Sequence, residues 1–129
     1  MSAQRARIAE AMLGMPGAFT AEDLHRRVIE VTPGIGLATV YRALAAMQES
    51  GAIATVGDRH GSTLLARCER HDHHHHLVCT ECGSVVGIDC PLGDAALISA
   101  ERAGHLVTRH EITLYGLCAI CRARADGDA

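Results

Sequence analysis

The sequence has no lysine and no tryptophan, and only one phenylalanine and two tyrosines in 129 residues. With so few aromatics the core must be aliphatic and its packing modest. A bound metal is a natural supplement for domains below about 70–80 residues. All twelve basic residues are arginine, and the formal charge is −3, which is not the electrostatic footprint of a protein that coats nucleic acid. Residues 1–60 set six arginines against six acids, and residues 61–129 set six against nine. Any DNA contact must therefore come from a few arginines near the N-terminus, helped by cations that offset the acidic half. There is no apolar run of about 18 residues and no opening signal peptide, so the expectation is a cytoplasmic protein without a membrane partner, its thiols reduced. HExxH, HxE paired with PCxxC, a Gly-rich phosphate loop and GxSxG are all missing, and an enzyme is not expected.

What is present is concentrated between Cys68 and Cys82, CERHDHHHHLVCTEC. Four consecutive histidines, the cysteine before them and the Cys-x-x-Cys after them place seven good metal ligands in fifteen residues. An internal run is not a purification tag. The run leads into Leu77 and Val78 and so into a predicted β-strand, where side chains alternate between faces. His73 and His75 then point one way and His74 and His76 the other, which predicts two sites. Parity groups Cys68 with His74 and His76. The other set needs donors from farther along the chain, among which Asp94, Glu101, His110 and Glu111 are available.

Cys79, Cys82, Cys118 and Cys121 form a doubled CxxC with 35 residues between the pairs. Four thiolates suit the tetrahedral, sulfur-tolerant preference of zinc and predict a closed structural site. Of the remaining candidates, Cys90 reads as a plain thiol, His25 as a surface residue on the second helix, and His60 as part of a wing loop.

The elements read as follows. A helix over 1–15 carries Ile8, Met12 and Met15 on one face, with Ser2 as N-cap and Gly17 closing the turn. A second helix starts from the cap Thr20 and ends before Pro33. A third, LATVYRALAAMQES, has the apolar stripe Leu37, Val40, Leu44 and Met47 and ends at Gly51. Its opposite face carries Ala38, Thr39, Arg42, Ala45 and Ala46 with Tyr41 on the flank, small residues around one arginine that suit approach to a DNA groove. Strands over 52–56 and 63–68 flank the loop GDRHGS. Three helices and a hairpin make a winged helix-turn-helix. After the histidines come a strand over 85–89, a helix from Pro91 to Ala103, a long strand over 106–116 and a frayed tail. This β-α-β unit is too small to bury both faces of its sheet, so a symmetric homodimer is expected. The fold class is thus α+β, with a winged-helix domain over 1–68, a hinge at about 69–73, and an α/β dimerisation and metal-binding domain over 74–129.

AEDLHRRVIE (21–30), IGLATVYRAL (35–44), HHHHLVCTECG (73–83) and CAIC (118–121), in this order and spacing, resemble the ferric uptake regulator (Fur) family of metal-dependent bacterial repressors. The resemblance runs from Ser2 to Cys121. Cys68 followed by uninterrupted histidines is most similar to the zinc uptake regulator branch. The resemblance implies a repressor of metal-uptake genes that binds an AT-rich inverted repeat in double-stranded DNA. It puts Tyr41 and Arg42 on the recognition helix, structural zinc on the four paired cysteines, a regulatory metal on His73, His75, Asp94 and His110, and a further site on Cys68, His74 and His76. Zinc is the implied regulatory ion, with iron or manganese as alternatives in an iron- or peroxide-sensing relative. A zinc-buffering or thiol-redox protein without operator binding is the alternative from another class. Three departures stand out. Asp94 replaces the usual glutamate, and Ala54 stands where zinc regulators offer a carboxylate. The basic arm that relatives lay in the minor groove does not precede SAQR, so Arg5 or Arg7 would have to compensate.

Overall fold

The computed structural model describes residues 2–68, 70 and 72–127. Three helices come first: α1 (Ala3–Leu13), α2 (Ala21–Val31) and α3 (Leu37–Glu49). Ser2 Oγ accepts the Arg5 N–H at 3.1 Å and caps α1. Thr20 and Asp23 cap α2 reciprocally: each side chain accepts the other's backbone N–H, satisfying donors that a helix start leaves free. The turn between α2 and α3 is closed by His25, whose Nε2–H donates to the Ile35 carbonyl at 2.9 Å. His25 is half-buried, so it is a strut of the helix-turn-helix and not the surface residue expected. α1 ends at Gly14, earlier than the expected Met15. Gly17 instead lets two backbone segments meet, since a Cβ there would lie 2.3 Å from the Gly83 carbonyl oxygen.

The wing is a hairpin of β1 (Ile53–Arg59) and β2 (Ser62–Arg67). Its strands run through most of the stretch expected to be loop, because His60 (φ 50°) and Gly61 (φ 87°) both adopt left-handed backbone and reverse the chain in two residues. Phe19 exchanges two backbone hydrogen bonds with Leu65 and ties the hairpin to the helices. Val56 is a bulge, passed over between the pairs Thr55–Leu65 and Gly57–Leu64. The hairpin thereby serves two cores. Ile53 and Leu65 join Ile8, Leu24, Val28, Ile35, Val40 and Leu44 among the helices, whereas Val56, Leu64 and Ala66 pack on Val78 of the second sheet.

That second sheet has the order β4-β3-β5: β3 (His75–Cys79) is antiparallel to β4 (Val85–Ile88) and parallel to β5 (Thr113–Gly116). α4 (Asp94–Arg102) links β4 to β5 and ends at left-handed Gly104. The long strand expected over 106–116 is strand only from Thr113, since β3 offers pairing only from His76 onward. The expected frayed tail is instead α5 (Ala119–Gly127), while residues 128–129 lie outside the described part. Val86, Ile98, Leu106, Leu114 and Ile120 leave apolar surface exposed, Leu106 at 84%. No described helix is long and apolar enough to cross a membrane.

Candidate metal centres and DNA-facing surface

Three groups of donor atoms converge, each within 4.8 Å internally: Cys79, Cys82, Cys118 and Cys121; Cys68, His74 and His76; and His73, His75, Cys90 and His110.

The first group joins the end of β3 to the start of α5. The chain turns at left-handed Gly83, so that Cys79 and Cys82 present sulfur on one side, with Gly83 N–H donating to the Cys79 carbonyl at 3.0 Å. Cys118, just after β5, comes within 3.8 Å of Cys82 sulfur to sulfur and accepts the Cys121 amide at 3.4 Å. Backbone amides of Cys82 and Cys118 facing Cys79 lower its thiol to about 6, whereas the Cys118 thiol beside it and burial push Cys121 up to about 12. Four adjacent thiols cannot all ionise unless a cation shares their charge. The donor set therefore fits zinc, which holds four thiolates at once. The same knuckle docks on the first half of the chain, Ala18 N–H donating to the Gly83 carbonyl at 2.7 Å.

In the second group Cys68 Sγ lies 3.2 Å from His74 Nε2 and 3.8 Å from His76 Nε2, and the two imidazoles are 3.1 Å apart. His74 Nδ1–H donates to the Asp72 carbonyl at 2.8 Å, which leaves Nε2 with its lone pair toward the sulfur. That backbone bond is the usual device for orienting a metal-binding histidine. No fourth donor joins among the described residues. Ala54 has none to give, Asp58 accepts the Gly61 amide instead, His60 is not in the group, and His71 lies outside the described part.

The three histidines of the third group, with His74 and His76 of the second, line a cleft of about 400 Å³ between the wing and the second sheet. His73 Nε2 and His110 Nε2 are 3.0 Å apart, and Cys90 Sγ is 3.2 Å from the latter. His75 is only 5% exposed, and its Nε2 is buried with no hydrogen-bond partner. Burial, then the neighbouring His73 and His110, lower its pKa and keep it neutral, the form that binds metal. An orphaned buried nitrogen at the centre of three other donors is what a cation would satisfy.

Here the sequence expectation needs correction. Asp94 is not in this group. It is exposed in the first turn of α4, and Cys90 takes the fourth place. The strand pairing helps explain why: the β3–β4 ladder ends at His75–Ile88, and Cys90, two residues past that end, has its sulfur 3.2 Å from His110 Nε2. Pro91, Leu92 and Gly93 then carry the chain away before Asp94. Which strand end lies beside the histidines is known only from the pairing of β3 with β4, and that pairing was the signal for Cys90. Arg70 braces the region, gripping Asp72 at 2.7 and 2.9 Å and also Asp89, the neighbour of Cys90.

Beside the cleft β5 is fastened to the wing. Asp58 N–H donates to Tyr115 Oη at 2.7 Å, and Thr113 Oγ1–H to the Val56 carbonyl at 2.9 Å. Gly57 makes the approach possible, since a Cβ there would be 2.6 Å from Tyr115 Oη.

On the helical half, Val40, Ala43 and Leu44 of α3 are buried, while Ala38, Tyr41, Arg42 and Ala45 are exposed and Thr39 is half-buried. Arg42 bonds Thr39 Oγ1 at 3.1 Å, and Tyr41 Oη–H donates to Glu22 at 2.8 Å, holding that carboxyl below its ordinary range. Tyr41 thus braces α3 on α2 while half its surface faces solvent. Arg5 and Arg7 are exposed on α1.

The ferric uptake regulator family matches residues 1–115 of this chain. The chain belongs to that family. Its members are metal-responsive, DNA-binding regulators of winged-helix fold. Among Fur-family relatives, the ferric uptake regulation protein of Escherichia coli K12 is 35% identical over 111 residues, covering 85% of this chain and 74% of the relative. That of Neisseria meningitidis serogroup B is 32% identical over 107 residues, with 82% and 74% covered. A zinc uptake regulator solved with zinc and DNA superposes with a TM-score of 0.77 at 26% identity, over 97% of this chain and 85% of the other. The Vibrio cholerae ferric uptake regulator gives 0.58 at 30% identity, over 92% and 91%.

Proposed function

We propose that this Fur-family chain is a zinc-responsive repressor that binds operator DNA as a homodimer and controls metal-uptake genes. The observation that carries the reading is the donor chemistry. All three groups are built from sulfur and imidazole nitrogen without a carboxylate, the set that suits zinc better than manganese or iron(II). The similarity to a zinc uptake regulator bound to zinc and DNA supports it. The identity of about a third to ferric uptake regulation proteins favours the second reading, an iron sensor.

In the zinc reading the four cysteines hold structural metal and the second domain, beyond a hinge at about 69–73, dimerises through its uncovered apolar face. His73, His75 and His110 hold the regulatory ion, and Cys68, His74 and His76 a further one. Thr39, Tyr41 and Arg42 face the DNA groove, with Arg5 and Arg7 near its backbone. A twofold dimer implies an inverted-repeat operator.

The residues also suggest how the ion and the DNA-reading half are coupled. The Ile112 amide donates to His75 Nδ1 at 3.2 Å, and the next residue, Thr113, bonds Val56 of the wing. A ligand at His75 therefore acts one residue away from the bond that holds the wing. For the ion to favour DNA binding it must bind the state in which Thr113 holds the wing more tightly than one in which the wing is released. The test is operator binding by the purified protein at buffered zinc, iron(II) and manganese(II) concentrations. The zinc reading expects a response at the lowest free zinc, and stronger binding with iron(II) than with zinc would favour the second reading.

A further inference from the structure

The Fur-family pattern puts a carboxylate in the regulatory site, yet Asp94, the acid the resemblance places there, stands outside the donor group and Cys90 stands inside it. We infer that Cys90 is the fourth donor of the His73–His75–His110 site, and that its thiolate makes this a His3Cys site selective for zinc over manganese and iron(II). The inference rests on the proposal that this group is the regulatory site, and adds how the site chooses its metal.

Three observations carry it. Cys90 Sγ is 3.2 Å from His110 Nε2, itself 3.0 Å from His73 Nε2. Cys90 follows β4 by two residues, just beyond the last ladder pair His75–Ile88, where Arg70 grips Asp89, one residue before it. The group has no other anionic member: three histidines bring no charge, so the thiolate supplies all the neutralisation a divalent cation receives. One sulfur and three imidazole nitrogens make a tetrahedral set for a borderline-soft ion, whereas manganese(II) and iron(II) favour sites with oxygen donors. Replacing oxygen by sulfur at this one position therefore changes selectivity while leaving the ligand charge the same.

The test uses the full-length protein with the cysteine quartet already loaded. In the wild type, alkylation by iodoacetamide is followed at each cysteine by peptide mass mapping across a zinc titration. Protection of Cys90 should rise in step with the zinc that His75 binds. In parallel, zinc and manganese affinities are measured by chelator competition for Cys90→Ser, Cys90→Asp, Asp94→Asn and His75→Ala. Losing a direct ligand should cost Cys90→Ser more than about tenfold in zinc affinity, since losing even an outer-shell partner costs about 10–100-fold. Cys90→Asp should lower the preference for zinc over manganese, and Asp94→Asn should stay near wild type. If Cys90 is alkylated equally fast with and without zinc, or Asp94→Asn loses zinc and Cys90→Ser does not, the inference is wrong even where His75 proves necessary. If His75→Ala binds zinc as the wild type does, the regulatory reading itself fails.

Discussion

His75 holds two demands in one ring. Its Nδ1 accepts the Ile112 amide while its Nε2 is buried and unpartnered. A neutral imidazole that gives Nε2 to a cation carries its proton on Nδ1, where that proton would meet the Ile112 N–H head-on. Loading the site should therefore displace this contact. The prediction is a zinc-dependent shift of the Ile112 amide resonance that is absent in His75→Ala. An Ile112 resonance indifferent to zinc would mean that the ion does not sit on Nε2. At this scale the sequence was partly legible. Alternation along a strand separates His73 and His75 from His74 and His76, and the structure brings these pairs into different groups. The same logic could not find Cys90, because which residues face one another across β3 and β4 is a property of pairing and not of either strand alone.

Among the elements, the helices were more legible than the strands. Caps at Ser2 and Thr20 and the stripes on α1 and α3 are local signals, and they recur in the structure within a few residues. Strand limits depend on distant partners: β1 outran its expected end, β2 kept its length but slipped by one residue, and β5 fell short. The wing is the element on which two cores and β5 meet, so it should be sensitive to small changes. Gly57→Ala would place a methyl group 2.6 Å from Tyr115 Oη. Either the hydroxyl moves and its 2.7 Å bond to Asp58 is lost, or the wing shifts. The expected cost in urea unfolding is about 1–3 kcal/mol, accompanied by faster exchange of the Asp58 amide. Unchanged stability and exchange would show that β5 does not fasten the wing. For α3, Arg42→Ala should weaken operator binding by about 1–3 kcal/mol if it reads a base edge, with zinc content and oligomeric state unaltered. Equal binding by the variant would place the recognition surface elsewhere.

For the whole molecule, the cysteine quartet closes the second half by joining β3 to α5, and through Gly83 it abuts the loop that precedes α2. Neither half has the aromatic core that would make this staple dispensable. Binding of structural zinc by small domains is worth about 10–16 kcal/mol, so Cys118→Ser should unfold the second half and abolish dimerisation. Zinc analysis and sedimentation would report it, and a zinc-free, well-folded dimer would contradict it. The central claim, that one of two neighbouring groups in the histidine run is the switch and the quartet is not, is tested most directly by one measurement: operator binding against buffered free zinc for wild type, His75→Ala and Cys68→Ser. His75→Ala should stay folded with its cysteine-bound zinc, yet gain no operator affinity as zinc rises. Cys68→Ser, which alters a group with no fourth donor among the described residues, should lose only the top of the response. A Cys68→Ser protein as unresponsive as His75→Ala, or a His75→Ala protein that follows the wild-type curve, would contradict the account.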